Sequence, residues 1–219
     1  MIGAAGIAWF AAAAVYYRTH EYPGATEGGR GIADLLHDQI VLLARDTELQ
    51  KFLAARTLMI STAMLGPLYV NLAQRQLGLS LDGLGWLVVA SGLAAAVSSA
   101  FWGTLSDRSS RMTMALAAAI AALLGLLVLS ARKIVPELTT GAPFYAASLF
   151  ALGVAHAGVR IGRKTHVVDL AGGDHKAEYV ALSNSIIGVL LLVAGGLIGV
   201  LLEYGLELAI GVLSGLAAL

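Results

Sequence analysis

His156, Arg160, Arg163, Lys164 and Val167 follow one another at spacings of three and four. On an α-helix that spacing gathers side chains on one face, so four basic groups form a stripe. A stripe of this kind attracts an anionic solute or a carboxylate. His156 is its one member whose charge can change near neutral pH.

A second cluster is more compact. The run Gly103-Thr104-Leu105-Ser106-Asp107-Arg108-Ser109-Ser110-Arg111 stands between Gly83 to Trp102 and Met112 to Ala131, two stretches without a charge. Charges confined to so short a link predict a tight loop between two transmembrane helices. Helix capping and enforcement of topology are sufficient grounds for such charges; a conformational role needs a partner.

The elements that must position these residues are membrane helices. Hydrophobic residues make up 58% of the 219, charged residues 13%, and mean hydropathy is +0.80, whereas soluble domains carry roughly 25% charged residues. A hydrocarbon core of about 30 Å takes about 20 apolar helical residues, and runs near that length recur. They are continuous and rich in Leu, Ala and Gly, not alternating as in a membrane β-barrel. The fold class is therefore all-α, a polytopic membrane helix bundle. Net charge is zero, which gives no electrostatic footprint for nucleic acid. The absence of cysteine removes disulfides, zinc thiolates and Cys nucleophiles, and no cofactor or metal is expected.

Seven segments follow in order. Positions 1 to 17 are apolar, and the first charge, Arg18, lies behind them rather than ahead as in a secretory signal. Positions 18 to 51 read as a cytoplasmic linker opened by Pro23 and several glycines. Within it Ile32, Leu35, Leu36, Ile40 and Leu43 mark one face of an amphipathic helix, which lies on the membrane surface or packs against the bundle. Positions 52 to 219 then hold the remaining spans: Phe52 to Ala73, kinked at Pro67; Gly83 to Trp102; Met112 to Ala131; a fifth from Ala142; Tyr179 to Leu202; and a short last segment from Leu206 to Leu219. Met1 falls within a span and Leu219 lacks a polar flank, so the chain reads as cut at both ends.

Alternating the loops places Arg18, Arg30, Arg45, Lys51, Arg56, Arg108, Arg111, Arg160, Arg163, Lys164 and Lys176 inside and only Arg75, Arg132 and Lys133 outside, which accounts for all 14 basic residues. That asymmetry obeys the positive-inside rule. The expected location is a multi-pass position in a bacterial cytoplasmic (inner) membrane, with the lipid bilayer as first partner.

Depth then bears on the basic stripe. If its helix continues to Asp169, Arg160 is within the inner leaflet and His156 near the midplane. A charge there costs about 2.5 to 3.5 kcal/mol on insertion scales, so it should face a cavity or a partner. The alternative is a helix that leaves the membrane by Arg160, its cations snorkelling to the surface. Asn71, Asn184, Ser91 and Ser98 are weaker cavity candidates that serve equally as interhelical hydrogen-bonding glue. Arg56, one turn into its span, reads as a membrane anchor. Gly188, Gly195, Gly196 and Gly199 suggest close helix packing.

The run from Gly103 to Arg111 resembles the cytoplasmic signature of the major facilitator superfamily, Gly-x-Leu-x-Asp-Arg-x-Gly-Arg-Lys. Gly103, Leu105, Asp107, Arg108 and Arg111 match; Ser110 replaces the second glycine and Met112 the final basic residue. Such departures are common in the second copy of the motif, between helices 8 and 9. The resemblance extends over the order of elements: the end of a helix 6, a linker, helices 7 to 11 and part of 12. It implies the C-terminal half of a permease, built of inverted three-helix repeats with solute bound near the midplane. It further implies that the loop's Asp latches one access state against an N-terminal half, or against a second copy of the chain in its place. The implied cargo is a small solute, and the basic stripe favours an anionic one.

Other classes fit less well. The Gly-x-Ser-Gly context of rhomboid-type hydrolysis is missing around Ser91, His-Glu-x-x-His is absent, and no lysine after Lys176 is available for a retinal. The chain is expected not to be an enzyme. A non-transporting scaffold derived from a transporter half is the competing reading.

Overall fold

The computed structural model describes residues 2–20, 31–78, 81–172 and 175–219. Every described element is helical: α1 (Ile2–Tyr17), α2 (Ile32–Arg45), α3 (Thr47–Leu58), α4 (Ile60–Leu77), α5 (Leu81–Arg108), α6 (Ser110–Ile134), a 3₁₀ turn (Pro136–Thr140), α7 (Ala142–Ala171), α8 (Lys176–Tyr204) and α9 (Leu206–Ala218). The chain divides into two compact units, Met1–Asp38 and Gln39–Leu219. In the first unit α1 is apolar on all sides, and Thr19 Oγ1 closes its end by donating to the Tyr16 carbonyl at 2.7 Å.

The second unit is a helix bundle. Among the described residues five helical stretches in it are long and apolar enough to cross a membrane: Thr47–Leu77, Gly85–Arg108, Ser110–Ile134, Ala142–Ala171 and Lys176–Tyr204. The first starts earlier than its apolar run because Asp46 caps α3, accepting from the Glu48 and Leu49 backbone N–H groups at 3.0 Å each. A capped first turn tolerates charge, so Glu48 and Lys51 form a surface pair there instead of ending the helix. The same stretch is interrupted at Met59, about two turns before Pro67, and α4 runs on through the proline. At the interruption the Ser61 and Thr62 hydroxyls donate to the Leu58 and Met59 carbonyls at 2.7 and 2.8 Å, and the Met59 carbonyl also accepts from the Thr62 N–H at 3.1 Å. Pro67 therefore sits inside α4, while the interruption of the helical stretch falls separately at Met59.

Helix α7 lies at the centre, packed against α4, α5, α6 and α8. Its small residues permit this. A Cβ on Gly153 would stand 2.8 Å from the Ser91 carbonyl, one on Gly158 2.7 Å from both Trp102 and Ala117, and one on Gly162 2.8 Å from Met114. Trp102, 1% exposed, fixes α5 to α7 by donating from Nε1 to the Val154 carbonyl at 2.8 Å. By contrast Gly188, Gly195, Gly196 and Gly199 on α8 have open space where a Cβ would be. The close packing expected of them belongs to α7, and to Gly125 of α6, which meets Ser214 of α9. Helix α8 buries only Leu182, Ser183 and Ile187, and Leu192 on its outer side is 80% exposed. The turn from α8 to α9 needs Gly205, whose φ of 138° is disfavoured for residues with a side chain.

Candidate functional site

The basic residues of α7 all lie on helix, since α7 continues unbroken past Asp169 to Ala171. They divide between two clefts. His156 and Arg160 line the first, of about 370 Å³, together with Gly66 and Val70 of α4 and Ser91 and Gly92 of α5. Gly66 and Gly92 leave its walls open because nothing lies within 4 Å of where a Cβ would stand. His156 is half-buried, and its Nδ1 is buried without a hydrogen-bond partner. Arg160 is exposed, which gives the cleft a cationic mouth.

Arg163 and Lys164 line the second cleft, of about 310 Å³, with Arg56 of α3, Asn184 of α8 and the apolar Val167, Val168 and Val180. Arg56 is 8% exposed. Its guanidinium donates from Nη1 to Ser183 Oγ and from Nη2 to Asn184 Oδ1 at 2.9 Å, while Nε is buried and unpaired. The expected anchoring role of Arg56 is thus corrected: a lone arginine near a span end snorkels only when no interior partner is in reach, and Ser183 and Asn184 are. Asn71 is half-buried on α4 and lines neither cleft. Ser98 is buried and bonds back to Ala94 of its own helix at 2.7 Å.

The charged link is shorter than a loop. Gly103, Leu105, Asp107 and Arg108 lie in the last turns of α5 and Arg111 in the first turn of α6, so Ser109 alone is non-helical. Its extended backbone (φ −160°, ψ 102°) makes it the N-cap of α6, and its Oγ accepts from Met112 N–H at 3.2 Å. Asp107, Arg108 and Arg111 are exposed and line a polar recess of about 390 Å³ with Glu48, His166 and Asp169. Among the described residues Asp107 makes no side-chain hydrogen bond or ion pair.

One contact here escaped the sequence. Ser110, where the family signature has glycine, is buried with Oγ 2.9 Å from His166 Nδ1 and donates to Asp169 Oδ2 at 3.3 Å. The His166 ring in turn stands 5.2 Å from that of Phe52. Near the same end of the bundle Tyr179 Oη donates to Asp46 Oδ2 at 2.6 Å. That bond, followed by the Leu49 N–H, holds the Asp46 carboxyl below the usual carboxylate range.

These features define a multi-pass integral membrane protein made of helices. Residues 52–219 match the family model of the Major Facilitator Superfamily, and the chain belongs to that family of transporters. No curated protein and no solved structure matches it.

Proposed function

We propose that the chain forms the C-terminal half of a secondary active permease and moves a small anionic solute by alternating access. The observation that carries this reading is the first cleft: His156 and Arg160 stand on the central helix, and the space beside them is kept open by Gly66 and Gly92. Arg160 supplies attraction at the mouth, and the half-buried His156 adds a polar side chain to the cleft wall. Among the described residues no acidic side chain lines this cleft, so an anion meets no repulsion from them.

The sequence has no cysteine, which makes single-cysteine labelling of this chain free of background. His156→Cys and Arg160→Cys in membranes should react with a small water-soluble thiol reagent, whereas Leu192→Cys on the lipid-facing side should not. Reactivity at positions 156 and 160 no greater than at 192 would remove the path.

A further inference from the structure

The second cleft has a composition that the solute path does not explain. Arg56 lies nine residues from the start of α3, Arg163 eight from the end of α7 and Asn184 eight from the start of α8. At 1.5 Å per residue these are all about 12 to 14 Å from their helix ends, so the groups form one layer inside the same end of the bundle. Three cations, Arg56, Arg163 and Lys164, share that layer, and among the described residues no carboxylate lines the cleft. Among the described residues the acceptors of Arg56 are the neutral oxygens of Ser183 and Asn184. A buried guanidinium is stabilised by a paired anion, and Nε of this one is still without a partner.

We infer that the cleft between α3, α7 and α8 is an oxyanion site of phosphate type, in which Arg56, Arg163 and Lys164 bind the charged oxygens and Val167, Val168 and Val180 form an apolar wall. The two arginines present planar, multiply donating groups suited to such oxygens, and Lys164 adds a mobile point charge at the exposed side. Asn184 holds Arg56 in place and can turn its amide N–H₂ to the ligand. Free phosphate and the phosphate of a lipid headgroup share this chemistry. The inference is independent of the solute path, since none of these groups lines the first cleft.

The test uses the purified full chain in a non-ionic detergent. Inorganic phosphate, added at ionic strength held constant with chloride, should raise the thermal unfolding midpoint if free phosphate is the ligand. Native mass spectrometry with phosphatidylglycerol against phosphatidylcholine should show selective retention of the anionic lipid if a headgroup is. Either response supports the site, and the two arms identify the source. Arg163→Gln with Lys164→Gln should weaken the responding probe by about ten-fold or more, the scale of a lost charge-assisted contact. Arg56→Gln should do the same; if that variant does not fold, the double variant still decides. Absence of any response in the native chain, or an undiminished response in the double variant, overturns the inference. Labelling at positions 156 and 160 is read separately, so failure of one proposal does not touch the other.

Discussion

Asp46 shows how much one half-buried carboxylate can organise in this chain. It caps α3 through two backbone N–H groups and accepts a short bond from Tyr179 of α8. Asp46→Ala should destabilise the bundle by about 0.5 to 2 kcal/mol, the range for a lost N-cap, as read from thermal unfolding at neutral pH. The pH dependence has a definite sign. Because the carboxyl is held below its ordinary value by the Tyr179 hydroxyl first and the Leu49 N–H second, its contribution is full above about pH 4, near the unfolded carboxylate value. It fades as pH falls through the lower folded value. The gap between native chain and Asp46→Ala should therefore close on acidification; a gap that widens contradicts the assignment. The basic stripe of α7 was legible in the sequence because its spacing is local. The partners of Arg56 were not, since Ser183 and Asn184 lie more than 120 residues away, and a lone arginine near a span end looks the same whether it snorkels or packs.

Elements were legible in kind and less so in detail. Uncharged runs located the spanning helices, yet α5, α6 and α8 each extend beyond their runs into charged turns, because a capped or terminal turn accommodates charge that an apolar count rejects. Glycine was the clearest misreading. A run of glycines in α8 and isolated ones in α7 have the same local meaning, and only tertiary packing separates them. Gly158→Ala should destabilise the bundle, since overpacking against Trp102 and Ala117 costs about 1 to 3 kcal/mol and the gain in helix propensity is at most about 1 kcal/mol. Gly196→Ala meets nothing within 4 Å and should be neutral or stabilising by up to about that propensity gain. Unfolding midpoints of the two variants in the same detergent give the comparison, and equal effects would place the helix contacts elsewhere.

For the whole molecule, the question is what the exposed end of α5 and α6 is for. Asp107 stands at the C-terminal end of α5, where the helix dipole disfavours an anion, and just ahead of the N-terminus of α6, where it favours one. Each effect is about 0.3 to 1 kcal/mol near a surface, so they nearly cancel. With no side-chain partner among the described residues, Asp107 contributes little to the bundle it belongs to, and Asp107→Asn should leave its unfolding within about 0.5 kcal/mol of the native value. If the charge is a latch against another six-helix half, the same substitution should change solute uptake once that half is co-expressed, because the interaction then lost is between bodies instead of within one. Vesicle uptake and unfolding measured on the same variant separate the two cases. An uptake change with unaltered stability supports the latch, whereas a loss of stability in the chain alone would assign Asp107 to the local recess it shares with His166 and Asp169.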